Sequence, residues 1–509
     1  MQNNPRTIQI GLTADDAAWN LILRQIGIAS KVISSTDDLL ADYSVIIVIK
    51  DAEQTIQQNL EHYVEQCGTL LFTKNAMHGI ADVPTVTKKV TSLPPAKNEH
   101  YEYHGILDLY SSLTYFTNGD FVHSVPVGKG FKYYLGLDLA ELLTTAAKRK
   151  NFYIPAGRMP NEVVSSVSKG TLRQLIFSLL KGIHHRQSLP FIHLWYYPGT
   201  ERTIFTFRID SDKGTKEQVE EIRALSERHT VPTTWFLDVK SHESWLPSFR
   251  SFGDQEIALH CYEHILYRTA SLNRENFQKA LTLMKNAGLA PKGITAPTGG
   301  WNAAYAESIR ELGFSYSSEF SYDYDDLPSF PVLNGTEFPI PQLPIHPVCV
   351  GTMLRARMND DEMVRYFRSY IDAQLALNEP ICLYQHPTHG HNGVFEEVFQ
   401  YIDSLSIAKL SYSDHAEWWK HRNDSITAVK VLNGMIEAVS ETGNVHHRVI
   451  FPDGRECLTA LSEPVKSAAL KAEQKDYTTG IPSDIMRSRK FDLRHLLQDS
   501  LDWWIKTTE

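Results

Sequence analysis

The sequence predicts an α/β protein built around a deformed (β/α) barrel, with a doubly wound α/β domain before it and a small β module and a helix after it. Three observations carry this. Residues 200–420 repeat strand–helix units over roughly 220 positions, the pattern of a parallel sheet wrapped by helices. Residues 6–145 alternate short β-branched runs with amphipathic segments. After residue 425 the chain changes to short alternating strands punctuated by Asn433-Gly434, Thr442-Gly443 and Asp453-Gly454. A chain of 509 residues is too long for one hydrophobic core. The expected division is 1–148, a linker with an amphipathic helix at 149–200, the barrel at 201–422, the β module at 423–475 and a closing helix at 476–509.

In the first segment, Thr7–Ile10 reads as a strand and Asp15–Ile26 as a helix, with Trp19, Ile22, Leu23 and Ile26 on one face. Ser44–Lys50 (SVIIVIK) is the near-continuous run of a parallel strand buried on both sides. Glu53–Gln66 is expected to be helical, Thr69–Thr73 a strand, and Phe121–Leu137 a hairpin turning at Gly128–Gly130. The segment is similar to the flavodoxin-like, amidotransferase-like domains found beside carbohydrate enzymes. An amidotransferase nucleophile needs a Cys at a strand-to-helix elbow flanked by Gly. Cys67 instead follows a helix and precedes a strand, so no nucleophile is expected there. Residues 170–186 place Leu172, Leu175, Ile176, Leu179, Leu180 and Ile183 at helical spacing, as for a helix at a domain junction.

The barrel segment is expected to carry strands at Thr203–Ile209, Thr233–Val239, Glu256–His260, Gly293–Ala296 and Pro380–Gln385. Its helices are expected at Lys216–His229, Arg274–Ala287, Ala303–Leu312 and Asp360–Leu377. Arg487–Lys506 reads as an amphipathic helix that docks on a domain, with Leu493, Leu496, Leu497, Trp504 and Ile505 on its apolar side.

Bulk properties exclude several classes. Net charge is -10 and no long basic run exists, which argues against nucleic-acid binding. Five cysteines without CxxC spacing predict reduced thiols, neither a disulfide framework nor a Cys-ligated zinc. No stretch approaches the roughly 18 apolar residues of a membrane span, and the first residues lack the pattern of a signal peptide. A cytoplasmic location is the expectation; the oligomeric state is open.

The chemistry-bearing residues follow apolar strands. Asp210 and Asp212 lie two apart at the end of FTFRIDSD, where both carboxylates face one side. Two carboxylates there repel unless a cation or proton relieves them; a helix-capping or turn pair leading into Gly214 reads equally well from this segment alone. His260 ends the next strand and His264 follows four residues later in EIALHCYEH, a spacing that in a helical turn puts two imidazoles on one metal. His386 follows the strand ICLYQ, where a single histidine at a barrel mouth suits general acid catalysis. His389 and His391 read as loop histidines facing substrate.

Together these segments resemble the polysaccharide deacetylases of the NodB-homology type, carbohydrate esterase family 4. The resemblance covers about 200–420 and rests on four motifs in order: Asp210 with Asp212, His260-x-x-x-His264, Thr295-Ala296-Pro297-Thr298-Gly299, and Leu383-x-x-His386. It implies Asp210 as the base, one divalent metal on Asp212, His260 and His264, and His386 as the acid that protonates a departing amine. Two histidines and a carboxylate suit zinc; cobalt, nickel and iron are compatible. It also implies a carbohydrate substrate that loses an N-acyl group, with the backbone N–H of Thr298 towards the oxyanion. Without an export signal, a cytoplasmic glycan precursor is the expected substrate. The third motif departs from the family's Arg-x-Pro-x-Gly: Thr295 stands in place of the arginine that holds the base. Arg208, on the same strand face as Asp210, is the expected substitute. Trp301, Tyr262, Tyr316, Tyr322 and Tyr324 are candidates to stack on a sugar. Asp323, Asp325 and Asp326 are candidates to orient His386 or to bind substrate hydroxyls, with a solvated acidic loop as the equal alternative, and His346 lies at the expected rim. Two alternatives stand beside this one: a non-catalytic carbohydrate-binding protein, and a hydrolase of another C–N amide bond.

Overall fold

The computed structural model describes residues 6–33, 42–50, 54–77, 85–103, 105–106, 108–146, 148–150, 163–440, 443–471, 473–474, 493 and 497. The expected closing helix Arg487–Lys506 falls outside these, apart from Leu493 and Leu497. Among the described residues, no helix is long and apolar enough to cross a membrane.

The barrel segment holds a curled, all-parallel sheet. Its strands run side by side as Tyr316–Ser317, Gly293–Ile294, Glu256–Cys261, Thr234–Asp238, Ile204–Asp210 and Ile381–Gln385, with Ala408–Lys409 also pairing to the start of Ile204–Asp210. Ile204–Asp210 is paired on both sides and buried at every residue, which accounts for its continuous apolar text. No ladder joins the two outer strands among the described residues. Irregular chain lies between them instead: Ser317 bridges Gln342 on one side, and the His346 N–H donates to the Cys382 carbonyl (2.9 Å) on the other. The barrel is therefore a half-barrel closed by loop backbone.

Helices cover the sheet where their caps dictate. Lys216–Arg228 starts with a Thr215/Gln218 capping box, and Asp360–Leu377 with an Asn359/Glu362 box and three acidic residues in its first turn. Their apolar faces join Phe205, Phe207, Leu237, Leu259 and Leu383 in one core.

In the first segment a six-stranded sheet runs Val122–Val127, Gly130–Leu135, Thr69–Phe72, Val45–Val48, Ile10–Leu12, Ser30–Val32. All pairs are parallel except the Val122–Val127/Gly130–Leu135 hairpin. Cys67 sits between the Gln54–Glu65 helix and the Thr69–Phe72 strand, at φ 101°. The Lys169–Arg186 helix buries all six of its predicted apolar positions against this segment's core. His184 spends both ring nitrogens internally, on Leu180 O and Ser44 Oγ.

The C-terminal strands complete their sheets with distant partners. Arg6–Ile8 pairs with Val429–Leu432, and Phe191–Leu194 with His447–Ile450. Ile8, Ile192, Val429, Ile436 and Val449 then share one core between the two sheets. Arg422, fully buried and without a carboxylate partner among the described residues, locks the junction. It donates to the carbonyls of Arg24 and Gln25 at the end of the Ala17–Ile26 helix, and to those of Leu194 and Trp195.

Candidate active site

Three strand ends converge. Ile204–Asp210 delivers Asp210 and, two residues on, Asp212; Glu256–Cys261 delivers His260; Ile381–Gln385 delivers His386 one residue beyond its end. Asp212 is the meeting point. Its Oδ1 lies 3.1 Å from His260 Nε2, and its Oδ2 lies 3.1 Å from His264 Nε2 and 3.7 Å from His386 Nε2. One donor atom each from Asp212, His260 and His264 fall within 4.8 Å of one another.

Each ligand candidate is oriented from behind. His260 Nδ1 donates to the Thr295 carbonyl (2.9 Å), which leaves the Nε2 lone pair facing Asp212. His264 arrives by a route the spacing did not indicate. A helical turn was expected across His260–His264, but the chain bends there without forming one. The bend is cinched by Asn276 from the Ala270–Asn286 helix: its Oδ1 accepts from the N–H groups of Tyr262 (3.2 Å) and Glu263 (2.7 Å), and its Nδ2 donates to Glu263 O (2.9 Å). Asn276 is a positioning residue that sequence reasoning missed, because one Asn inside a helical run carries no local signal.

Arg208 reaches where the third motif lacks its arginine. It is wholly buried, and its Nη2 donates to Asp210 Oδ2 at 2.9 Å. Its Nη1 donates to Ser318 O (2.8 Å) and Ser318 Oγ (2.9 Å), with the guanidinium 5.1 Å from the Phe236 ring centre and 5.4 Å from that of Tyr384. Thr295 Oγ1 donates to the same Ser318 carbonyl (2.7 Å). Arg208 and Thr295 thus meet at Ser318, and the charge beside Asp210 comes from its own strand. Thr298 is exposed at φ 57°, and the preceding turn is pinned by the Ala296 N–H on buried Glu319 (3.1 Å). Burial pushes the Glu319 carboxyl up to about 7.

The aromatic candidates separate. Trp301 packs on Tyr322 in the barrel core, ring centres 4.9 Å apart, and is 6% exposed. Tyr316 is buried with its hydroxyl on Glu256 (2.8 Å), and Tyr324 is buried with its hydroxyl on Asp108 (2.8 Å). Tyr262 is half-buried, with Lys279 Nζ 3.8 Å from its ring centre. The acidic loop does not orient His386. Asp326 pairs with Arg173 (2.8 Å), Asp325 with His346 (2.9 Å), and Asp323 is buried near Lys169, its carboxyl pushed well up by burial and by Asp326. These carboxylates are held by the Lys169–Arg186 helix and by His346.

Beside His386 stand Cys349 and His389. Burial works against the His386 imidazolium, but the Cys349 sulfur and the carboxylates of Asp210 and Asp212 outweigh it and raise His386 above the usual histidine range. Burial likewise opposes the Cys349 thiolate, and His386 and His389 outweigh it, holding the thiol well below its usual value. Against burial, Asp212 holds His260 up to about 9, and His260, His264 and His386 hold Asp212 far below the carboxylate range. Cys349 was one of five scattered cysteines in the sequence, and no spacing joined it to His386.

No family model matches the sequence, and no curated protein matches it at a significant level. Solved structures overlap parts of the chain. One, from Mycobacterium smegmatis, is named as a polysaccharide deacetylase: 16% identity, 45% of this chain and 93% of that one, TM-score 0.38. An allantoinase shows 17% identity over 44% of this chain and 92% of its own, TM-score 0.37. A CE4 family pseudoenzyme from Bacillus anthracis shows 14% identity over 43% and 66%, TM-score 0.31. With scores below 0.5 over less than half of the chain, the chemistry has to come from this chain's own residues.

Proposed function

We propose that this chain is a metal-dependent hydrolase that removes an N-acyl group, acetyl in the first instance, from an amino sugar of a cytoplasmic glycan precursor. The observation that carries it is the convergence of Asp212, His260 and His264 beside Asp210, whose outer oxygen is fixed by Arg208.

The residues fit a divalent cation. Asp212 Oδ1 and His260 Nε2 are buried and 3.1 Å apart, and once His260 gives up its proton two lone pairs face one point. Two imidazoles and a carboxylate leave coordination positions open, the pattern of catalytic zinc. Such a cation, when bound, supplies Lewis-acid polarisation of the acyl carbonyl and a more acidic water. Asp210 keeps Oδ1 buried and free of hydrogen bonds while Oδ2 stays on Arg208, and Oδ1 is the atom that takes the proton from the attacking water. His386, whose protonated form Cys349, Asp210 and Asp212 favour against burial, gives a proton to the departing amine. Tyr262, half-buried, and the exposed Thr298 turn are the proposed substrate contacts.

A mass-spectrometric screen of N-acetylated sugar precursors for acetyl loss tests this, with zinc measured on the same sample. Acetyl loss from at least one precursor, dependent on bound metal, is the expected result. Stoichiometric zinc with no acetyl loss from any N-acetylated sugar would overturn the deacetylase reading.

A further inference from the structure

A second set of donors lies beside the first, and the proposed hydrolysis uses only His386 of its three members. Cys349, His386 and His389 each offer one donor atom, all within 4.8 Å of one another. Cys349 precedes the Val350–Arg355 helix, and His389 ends the turn that follows the Ile381–Gln385 strand. The His389 ring lies directly over Gly351, where any Cβ would collide with it. The Nδ1 atoms of His386 and His389 are both buried and make no hydrogen bond. The Cys349 sulfur also lies 3.7 Å from Thr352 Oγ1. Buried imidazole nitrogens without partners are rare and call for an occupant.

We propose that Cys349, His386 and His389 form a second metal site, selective for a thiophilic cation such as Zn²⁺, Cu⁺ or Co²⁺. A sulfur and two imidazoles with no carboxylate form a softer donor set than Asp212, His260 and His264. Around a tetrahedral cation with bonds of about 2.0–2.3 Å, three such donors stand closer together than 4.8 Å, so small side-chain rotations close the site. His386 couples the two centres: its Nε2 faces Asp212, and Nδ1 is the nitrogen left for the cation.

Titration of the metal-free full chain with Co²⁺ tests the site, reading bound cobalt per chain and the near-ultraviolet sulfur-to-cobalt charge-transfer band. The wild type is expected to bind two equivalents and to show the band. Cys349→Ser should bind one equivalent without the band, whereas His264→Ala should bind one and keep it. Gly351→Ala removes no donor but displaces the His389 ring, and should weaken the second binding step about 10–100-fold. A single equivalent without the band in the wild type, or a band that persists in Cys349→Ser, would overturn the second site. Loss of the band in Cys349→Ser together with unchanged cobalt content in His264→Ala would instead sink the Asp212 site and leave this one standing.

Discussion

Replacing Arg208 with methionine removes a buried charge while filling a similar volume, and it isolates what holds the proposed base. The guanidinium makes one hydrogen bond to Asp210 Oδ2 at 2.9 Å and two to Ser318 at 2.8 and 2.9 Å. Both members of the ion pair are buried, at 0% and 7% side-chain exposure, so solvent does not replace what is lost. Two unit charges about 4 Å apart at an effective dielectric near 20 attract by about 4 kcal/mol. Removing one member of a buried pair costs about 3–5 kcal/mol because the other is left uncompensated. Urea unfolding at neutral pH should therefore show Arg208→Met destabilised by about 3–5 kcal/mol. Arg208→Lys keeps the charge but not the fork, and should lose about 2–4 kcal/mol with the bonds to Ser318. Amine release from an N-acetylated amino sugar should fall about 10²–10⁴-fold in the methionine variant, the range for a lost general base. Wild-type turnover in a destabilised Arg208→Met chain would refute Arg208 as the residue that positions the base, and an unchanged urea midpoint would refute the buried pair itself.

Three further outcomes are expected. Asp210→Asn still accepts from Arg208 and should keep metal content and fold while turnover drops about 10²–10⁴-fold, measured by metal analysis and amine release on one preparation. Asn276→Ala frees the bend that carries His264, so zinc affinity should fall about 10–100-fold in competition against a chromophoric chelator; unchanged affinity would show that the bend holds itself. Glu319→Gln tests pH dependence. Burial raises the Glu319 carboxyl from an ordinary 4.5 to about 7, so its contribution to stability is complete below pH 4.5 and is lost as pH rises through 7. The loss amounts to about 3 kcal/mol. Glutamine keeps an Oε1 for the Ala296 N–H and the Tyr305 hydroxyl, so its urea midpoint should stay flat between pH 4.5 and 7 where that of the wild type falls.

The features legible in the sequence were those written in local periodicity. Ile204–Asp210 is buried on both faces and reads as a continuous apolar run, and Asp360–Leu377 announces itself by Asn359, Glu362 and its acidic first turn. The i, i+2 relation of Arg208 and Asp210 also made their contact predictable, because alternate strand residues share a face. What stayed hidden depends on pairing between distant segments. Arg6–Ile8 meets Val429–Leu432 across more than four hundred residues, and nothing in either short stretch names the other. The Tyr412–Asp424 helix escaped because its buried face carries His415 and Arg422, which an apolar count scores as surface. The expected turn at His260–His264 failed for a similar reason: spacing suggested a helix, whereas side-chain hydrogen bonds from Asn276 set the backbone. Cys349 comes to His386 and His389 from an irregular part of the chain that carries no period.

The most direct measurement is amine release from an N-acetylated amino sugar as zinc is returned to metal-free protein, in the wild type and in His264→Ala. Release should rise with the first equivalent of zinc in the wild type and stay absent in His264→Ala. Equal release by the two proteins, or release by metal-free wild type, would contradict metal-dependent hydrolysis at Asp212, His260 and His264.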